Sequence, residues 1–227
     1  MGASKKKNTK NTEETSAIYR FTYNVFSRLV GWFFRIKVVG RENEPDNGGF
    51  MVCANHTSAT DPVALCYAFS KHQVRFMAKK ELFKVPVVSW LVRLMGAFPV
   101  DRGGNDVGAI KKSVTMLKEG KCMGIFPQGH RYPGINPATT PIHNGAALIA
   151  YRSKCDVLPV SINVKGGKYG FLRRVEVVFG KIIKYEDLGF TDGGKSDYEA
   201  ASRRIFNEVV KLGIYSDLPA YLPEPKK

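Results

Sequence analysis

The sequence predicts an α/β fold, with a largely parallel central sheet covered by helices. From residue 41 onward, short apolar runs alternate with longer segments of helical periodicity. Such alternation is typical of parallel sheets whose strands are joined by helical crossovers. The 227 residues suit one domain with a core that needs no disulfide bonds. No internal repeat or low-complexity linker divides this part of the chain.

Each predicted element rests on its own pattern. The predicted strands are the apolar runs GGFMVCAN, QVRFMA, KCMGIFP, VLPVSINV and VEVVFGKII. The predicted helices are DPVALCYAFS, PVVSWLVRLMG, NDVGAIKKSVTMLKEG and HNGAALIAYRS, followed by a last helix. We place the start of that last helix at a capping box formed by Ser196 and Glu199.

Three parts are predicted along the chain. They are a polar, disordered tail at residues 1–15, an amphipathic helix at residues 16–38 and a single α/β domain at residues 39–227. Three arginines interrupt the aromatic residues of the second part, whereas a helix that spans a bilayer carries few charges. We therefore expect this helix to lie in the plane of a membrane surface. The alternative is that part of it packs on the core of the domain.

A net charge of +15 predicts attraction to an anionic partner. Nucleic acid, anionic lipid and an acidic carrier protein all fit, and a solvated basic surface without a dedicated partner is the alternative. The aromatic residues cluster in an apolar helix rather than alternating with Lys and Arg, which argues against nucleic acid. The start of the chain lacks the apolar core of a secretory signal, so we expect the protein to stay in the cytoplasm.

The four cysteines are expected to be reduced and buried. They lie far apart in the sequence, and no Cys/His spacing suggests zinc. The sequence therefore predicts no metal site.

Three loops follow apolar segments: NHTSATD follows FMVCA, VDRGG follows GAFP and PQGHRYPG follows CMGIF. Ligands of such sheets bind at the carboxyl ends of strands, so these loops can meet at one edge. The first loop holds His56 and Asp61, and a carboxylate in the first helical turn can orient a histidine that acts as general base. The alternative is that Thr60 or Asp61 only caps the helix and His56 is a polar strand end.

The other two loops suggest what the histidine acts on. No Gly-x-Ser-x-Gly nucleophile motif occurs, so His56 would most simply activate a hydroxyl of the substrate itself. Arg102 and Arg131 each lie in a glycine-containing loop, where guanidinium and backbone N–H groups can hold a phosphate. Together the three residues predict a site that binds a phosphorylated alcohol and removes its proton.

Four ordered motifs carry a family resemblance. They are His56-x-x-x-x-Asp61, GAFPVDR at residues 96–102, FPQGHR at residues 126–131 and VLPVSI at residues 157–162, with Lys79, Leu82 and Pro86 adding a Lys-x-x-Leu-x-x-x-Pro element. In this order they resemble the motifs of the glycerolipid acyltransferases, in particular the bacterial 1-acylglycerol-3-phosphate acyltransferases. The resemblance runs from about residue 49 to residue 162 and implies the fold of that family.

The resemblance implies a role for each matching residue. His56 would be the general base on the free hydroxyl of lysophosphatidic acid, and Asp61 would orient and stabilise it. Arg102, Lys79 and Arg131 would hold the glycerol phosphate.

The later motifs are less regular. The Gly129 loop would shape the site near the thioester, and Pro159 belongs to a block assigned to acyl-donor binding or site structure. The family usually has Phe-Pro-Glu-Gly-Thr-Arg where this chain has Gln128 and His130. Gln keeps the shape and hydrogen-bonding reach of Glu but not its charge, so a structural role would survive and an acid/base role would not. His130 would contact the phosphate or face solvent.

The implied reaction moves a fatty acyl group from acyl-CoA or acyl carrier protein to the sn-2 hydroxyl of 1-acylglycerol 3-phosphate, which gives phosphatidic acid. It needs no cofactor, no metal and no acyl-enzyme. The expected partners are an anionic phospholipid surface and an acyl carrier protein, without nucleic acid. The expected location is peripheral or monotopic, on the cytoplasmic face of the cell membrane.

Two alternatives stay open. One is the same chemistry on a different lysophospholipid or on glycerol 3-phosphate. The other, favoured by Gln128, is a catalytically silent basic module that binds membranes.

Overall fold

A seven-stranded sheet forms the centre of the computed structural model, which describes residue 31 and residues 34–101, 107–169 and 173–223. The strands are β1 (Ile36–Val39), β2 (Met51–Ala54), β3 (Val74–Lys79), β4 (Phe98–Val100), β5 (Cys122–Ile125), β6 (Val157–Val164) and β7 (Val175–Phe179). Their order across the sheet is β1-β7-β6-β2-β5-β3-β4. Neighbouring strands are parallel except β6 and β7. The predicted α/β fold with a largely parallel sheet is therefore confirmed.

The helices of the described residues pack on both faces of this sheet. They are α1 (Asp61–Ala68), α2 (Pro86–Leu94), α3 (Val107–Lys118), α4 (Gly145–Ser153) and α5 (Lys195–Lys211), and a short 3-10 turn (Lys80–Lys84) joins β3 to α2. Within these described ranges, no helix is both long enough and apolar enough to cross a bilayer.

The predicted capping box at the start of α5 is wrong. Gly194 is the N-cap residue, and Ser196 already lies in the first helical turn. Asp197 provides the polar contacts instead, because its carboxylate accepts hydrogen bonds from the backbone N–H groups of Thr191 at 2.6 Å and Gly193 at 3.0 Å. These bonds lower the pKa of Asp197. The helix start is therefore bonded to the preceding loop rather than closed by a local serine.

The predicted helix at residues 16–38 ends too late. Residues 36 to 39 form β1, which pairs in parallel with β7. Ile36 and Val38 pack against the core, while Lys37 points outward and pairs with Glu176 at 2.8 Å. Alternating burial of β-branched residues favours a strand over a helix here. The tail at residues 1–15 and most of residues 16–35 lie outside the described residues, so those predictions are untested.

The central strand β2 is buried on both faces. Val52 and Ala54 pack in the core layer that contains α1, whereas Met51 and Cys53 pack in the layer that contains α3, α4 and α5. All four cysteines are buried, as predicted, and they form no disulfide in the described structure. Burial raises the pKa of Cys66 to about 12, so that thiol stays protonated and serves as a small apolar group.

Asn55 continues the pairing of β2 with β6 beyond the end of the strand. Its Nδ2 donates to the carbonyl of Ile162 at 3.0 Å, and its Oδ1 accepts from the N–H of Ile162 at 2.7 Å. The side chain thus replaces one backbone rung of the ladder. It also holds the first residue of the loop that follows β2.

We predict that Asn55→Ala lowers the free energy of unfolding by roughly 2 kcal/mol or more, because it leaves two buried backbone groups without partners. The measurement is urea unfolding followed by circular dichroism. The matched control is Asn47→Ala at an exposed position, which should leave the unfolding midpoint unchanged. Equal midpoints for the two variants would show that the Asn55 bonds do not stabilise the sheet.

Candidate active site

A cavity of about 380 Å³ opens at the carboxyl ends of the central strands. His56 lines it from the loop after β2, Asp101 from the end of β4, and Gly129 and His130 from the loop after β5. Much of the remaining wall is apolar, formed by Met77, Val100, Ile110, Ile125, Phe126 and Ala146. The described parts of all three predicted loops therefore meet at one edge of the sheet.

His56 and Asp61 form a buried pair in this cavity. His56 Nδ1 lies 2.7 Å from Asp61 Oδ2, and the two side chains are 9% and 0% exposed. When the imidazole is neutral, the proton on Nδ1 is donated to the carboxylate, so Nε2 keeps its lone pair. This is the arrangement of a histidine base and the carboxylate that orients it.

The turn between β2 and α1 fixes the carboxylate. Asp61 Oδ2 also accepts from the backbone N–H groups of Thr57 at 2.6 Å and Ser58 at 2.8 Å, and Oδ1 accepts from the Thr57 hydroxyl at 3.2 Å. Thr60 is the N-cap residue of α1 but makes no capping bond through its side chain. Asp61 therefore closes the turn before α1 and orients His56, and its carboxylate bonds go to residues that precede the helix rather than to the first helical N–H groups.

Aromatic rings support the imidazole from β5 and β3. The His56 ring stacks on Phe126 with 4.0 Å between centroids, and Phe126 stacks on Phe76 at 5.7 Å. Gly124 leaves room for this stack, since a Cβ atom there would lie 2.1 Å from the Phe76 ring. The position and tilt of the imidazole thus depend on three neighbouring strands.

Gln128 supports His56 through the backbone. Its side chain is almost fully buried, with Oε1 accepting from the His56 N–H at 2.6 Å and Nε2 donating to Thr140 Oγ1 at 2.7 Å. The backbone N–H of Tyr132, in the same loop, donates to the His56 carbonyl at 2.9 Å. Both backbone polar groups of His56 are therefore held by the loop after β5. This contact favours the structural role for Gln128.

The family model described as "Acyltransferase" matches residues 35–163, which is more than half of the chain. The chain belongs to the acyltransferase family. The predicted resemblance is thereby confirmed.

Individual relatives of this acyltransferase agree with the family assignment. It is 29% identical to the 1-acyl-sn-glycerol-3-phosphate acyltransferase of Bacillus subtilis over 86% of this chain and 96% of the relative. It is 33% identical to the enzyme of the same name from Streptococcus pneumoniae, over 75% of this chain and 62% of that relative. A crystal structure of the 1-acyl-sn-glycerophosphate acyltransferase from Thermotoga maritima superimposes with a TM-score of 0.65, at 26% identity, and covers 86% of this chain and 79% of that one.

The other residues predicted for the acyltransferase site are more dispersed. Lys79 is the last residue of β3, 56% exposed and 3.8 Å from Glu81. Arg131 is exposed and lines a separate groove with Tyr132 and Tyr221. Arg102 lies outside the described residues, next to Asp101. Neither Lys79 nor Arg131 lines the cavity of His56, and the prediction for Arg102 stays untested.

Pro159 lies within the sheet rather than in the cavity. It pairs with Cys53 of β2, and its carbonyl accepts from the Gly180 N–H at 2.8 Å. Because the residue is buried between β2 and β7, its placement favours a part in site structure over direct contact with the acyl donor.

Sequence reasoning missed His143. This residue precedes α4, lines the same cavity as His56 and lies against Gly129, whose missing Cβ makes room for the His143 ring. Its backbone N–H donates to the Pro127 carbonyl at 2.8 Å. A histidine at the first position of the predicted helix HNGAALIAYRS was the available signal.

Tyr169 was also missed. It lies after β6, and its hydroxyl is buried without a hydrogen-bond partner among the described residues. Burial first, and then the negative charge of Asp61, raise the pKa of Tyr169. The residue therefore shares a low-dielectric environment with the carboxylate. No local pattern in the sequence could have indicated this proximity.

A second buried histidine–carboxylate pair serves as a contrast. His72 Nδ1 lies 3.2 Å from Glu44 Oε1, and Glu44 also accepts from the backbone N–H groups of Ser70 and Lys71. This pair precedes β3, at the amino ends of the parallel strands, and it lines none of the cavities described above. Pairing alone therefore does not identify a site; the cavity at the carboxyl edge does.

We predict that Gln128→Leu lowers turnover by about tenfold or more, because it leaves the buried His56 N–H without an acceptor, at a cost of roughly 1–3 kcal/mol. Gln128→Glu should stay within about threefold of the wild type, because a carboxylate oxygen can accept the same bond. Steady-state thioester consumption measures both effects, with circular dichroism as the check on folding. A large rise in the rate of Gln128→Glu would contradict the structural role of this residue.

Proposed function

We propose that this chain transfers a fatty acyl group from an acyl thioester to the free sn-2 hydroxyl of 1-acylglycerol 3-phosphate, giving phosphatidic acid. The observation that carries the proposal is the His56–Asp61 pair, 2.7 Å apart, at the wall of a largely apolar cavity. The relatives that bear the name of this activity support it.

His56 acts as the general base in this proposal. Its Nε2 takes the proton of the acceptor hydroxyl while the hydroxyl oxygen attacks the thioester carbon. The carbon–oxygen bond forms, the tetrahedral oxyanion collapses, and the carbon–sulfur bond breaks. The thiolate then takes up the proton that His56 received, so the enzyme returns to its starting state without a covalent intermediate.

Asp61 orients and stabilises His56 during this cycle. Because it accepts the proton on Nδ1, it holds the tautomer in which Nε2 is the base, and its charge stabilises the imidazolium that forms. The backbone N–H groups of Thr57 and Ser58 donate to the same oxygen as His56, and the Thr57 hydroxyl donates to the other, so both oxygens of the buried carboxylate have protein donors.

The apolar character of the cavity wall suits a fatty acyl chain as one of the bound groups. The side chains of Met77, Val100, Ile110 and Ile125 are apolar, whereas His130 and His143 supply polar atoms at the same cavity. We propose that Arg102, which follows the cavity residue Asp101, holds the acceptor phosphate, with Lys79 at the end of β3 as the second cation. Arg131 lines a separate groove and is left out of this assignment. Gly129 and the neighbouring loop shape the thioester end.

Acyl-CoA or acyl carrier protein is the proposed donor, and the mechanism uses no metal and no further cofactor. We propose a peripheral location on the cytoplasmic face of the cell membrane, with an anionic phospholipid surface as the partner and no role for nucleic acid. The net charge of +15 and the lipid nature of the acceptor support this choice.

A different acceptor is the nearest alternative, since the same base would activate the hydroxyl of another lysophospholipid or of glycerol 3-phosphate. The second alternative is a silent membrane-binding module, which the presence of Gln128 instead of Glu suggested in the sequence. The buried position of Gln128 weakens that reading, because the residue holds the His56 backbone rather than facing the cavity.

We predict that His56→Ala lowers turnover by about 100- to 10,000-fold, the range that general base catalysis contributes. Asp61→Asn should cause a loss of about a hundredfold or more, because an amide that donates to Nδ1 places the ring proton on Nε2. The assay mixes purified protein with vesicles that contain lysophosphatidic acid, adds acyl-CoA or acyl carrier protein thioester, and measures phosphatidic acid.

The matched control is His72→Gln, which changes the histidine of the other buried pair. It should retain turnover wherever circular dichroism shows a folded protein. Wild-type turnover in His56→Ala would refute the mechanism, and vesicle binding without thioester consumption by the wild type would favour the silent module.

An acceptor panel tests the substrate. We predict that lysophosphatidic acid is acylated faster than lysophosphatidylcholine or glycerol 3-phosphate by about tenfold or more, because only it combines a lipid chain with a phosphate monoester that cations can hold. The kcat/KM ratio of each acceptor is the quantity to compare. A preference for another acceptor would leave the base mechanism intact and reassign the substrate.

A further inference from the structure

Four of the exposed large apolar side chains in the described residues lie within a nine-residue stretch. They are Leu82 at 41% exposed, Val85 at 50%, Val87 at 77% and Trp90 at 65%. We call these four residues the α2 surface, because they occupy the 3-10 turn before α2 and the outer side of that helix. Clustered apolar exposure of this kind marks an interaction site rather than ordinary surface.

Basic residues surround the α2 surface. Between residues 79 and 95 the chain has Lys79, Lys80, Lys84 and Arg93, with Glu81 as the one acidic residue. The guanidinium of Arg93 lies over the Phe83 ring at 5.1 Å from its centroid. An exposed tryptophan with aliphatic neighbours and a basic border is typical of segments that enter the interface of an anionic bilayer.

The α2 surface is also joined to the candidate active site. The segment leaves the sheet after β3 and returns to it at β4, and both strands contribute to the cavity through Met77 and Val100. Lys80 at the start of the segment forms an ion pair with Asp101, which lines the cavity. A bilayer that receives Val87 and Trp90 would therefore lie beside the cavity that takes the lipid acceptor.

We propose that the α2 surface docks on an anionic phospholipid bilayer, with Val87 and Trp90 inserted among the lipid headgroups and the surrounding Lys and Arg side chains contacting lipid phosphates. This inference rests on the proposed function for its lipid acceptor, but it makes a separate claim about which face meets the membrane. An acidic carrier protein, a second copy of the chain and the chain's own amino-terminal segment are the competing occupants.

Tryptophan fluorescence tests the docking directly. The chain contains two tryptophans, so Trp32→Phe leaves Trp90 as the reporter. With vesicles of phosphatidylcholine and phosphatidylglycerol, the emission should shift to shorter wavelength and be quenched by lipids brominated in the acyl chain. An emission spectrum that does not change when vesicles are added would overturn the proposal. Emission that is already at shorter wavelength without lipid would also overturn it. If this occurs at all protein concentrations, the chain itself covers Trp90; if it occurs only at high concentration, a second copy does.

Paired variants test the consequence for activity. The double change Val87→Glu and Trp90→Glu should reduce vesicle co-sedimentation and the acylation of lysophosphatidic acid in vesicles by about tenfold or more. It should leave the acylation of a short-chain, monomeric acceptor unchanged. The matched control is Ile214→Glu, at an apolar residue that is 83% exposed and lies beyond α5, and it should alter neither reaction.

The charge contribution has its own pair. Lys84→Glu should weaken binding to anionic vesicles but not to pure phosphatidylcholine, whereas Lys195→Glu, at a side chain that is 89% exposed on α5, should leave both unchanged. The docking proposal is wrong if the Val87, Trp90 and Lys84 variants acylate lysophosphatidic acid in vesicles at the wild-type rate. It is also wrong if these variants lose activity only with the carrier-protein thioester as donor. If the wild type acylates neither vesicle nor monomeric acceptor while it still binds lipid, the proposed function fails and the docking proposal stands.

Discussion

The carboxylate of Asp61 is the point on which the rest of the site depends. It is completely buried, and it gathers the His56 ring and the N–H groups of Thr57 and Ser58 around its oxygens. A buried carboxylate is stable only when its lone pairs are satisfied. The turn that satisfies them is also the turn that ends β2 and begins α1. The orientation of the His56 ring and the junction of two core elements are therefore one structural feature.

The sheet supplies rigidity to that turn. β2 is buried on both faces, and Asn55 extends its pairing to β6 as far as the residue before His56. On the other side, Gln128 and Tyr132 bond to the two backbone groups of His56. The imidazole is thus held by its ring partner, by its backbone and by the stacked Phe126. Such redundancy preorganises a base before substrate arrives.

Local patterns in the sequence predicted five of the seven strands, the five helices α1 to α5 and the contact of His56 with Asp61, because each of these depends on burial or spacing within a short segment. The apolar run before His56 defines β2, and the four intervening residues fit one turn. Features set by distant partners were not predictable. β1 needs β7 beside it, the contact of Gln128 with His56 joins residues 72 positions apart, and the charge of Asp61 acts on Tyr169, which is distant in the sequence. The start of α5 was misplaced because Asp197 bonds backward to a loop rather than to its own helix.

The presence of Gln instead of the family's Glu at the third position of FPQGHR is compatible with the same contacts. The side chain has to accept one bond from the His56 N–H and reach Thr140, and an amide does both, since it accepts with Oε1 and donates with Nε2. A carboxylate could only accept hydrogen bonds, both from the His56 N–H and from the Thr140 hydroxyl. The Thr140 hydroxyl would then have to turn away from the Pro137 carbonyl, to which it now donates at 2.8 Å. It would also bring a second buried negative charge toward the backbone of His56, in addition to Asp61. The Gln128 side chain is uncharged, so the negative charge opposite the imidazolium comes from Asp61, and the cavity is more favourable to an anionic phosphate than it would be with Glu.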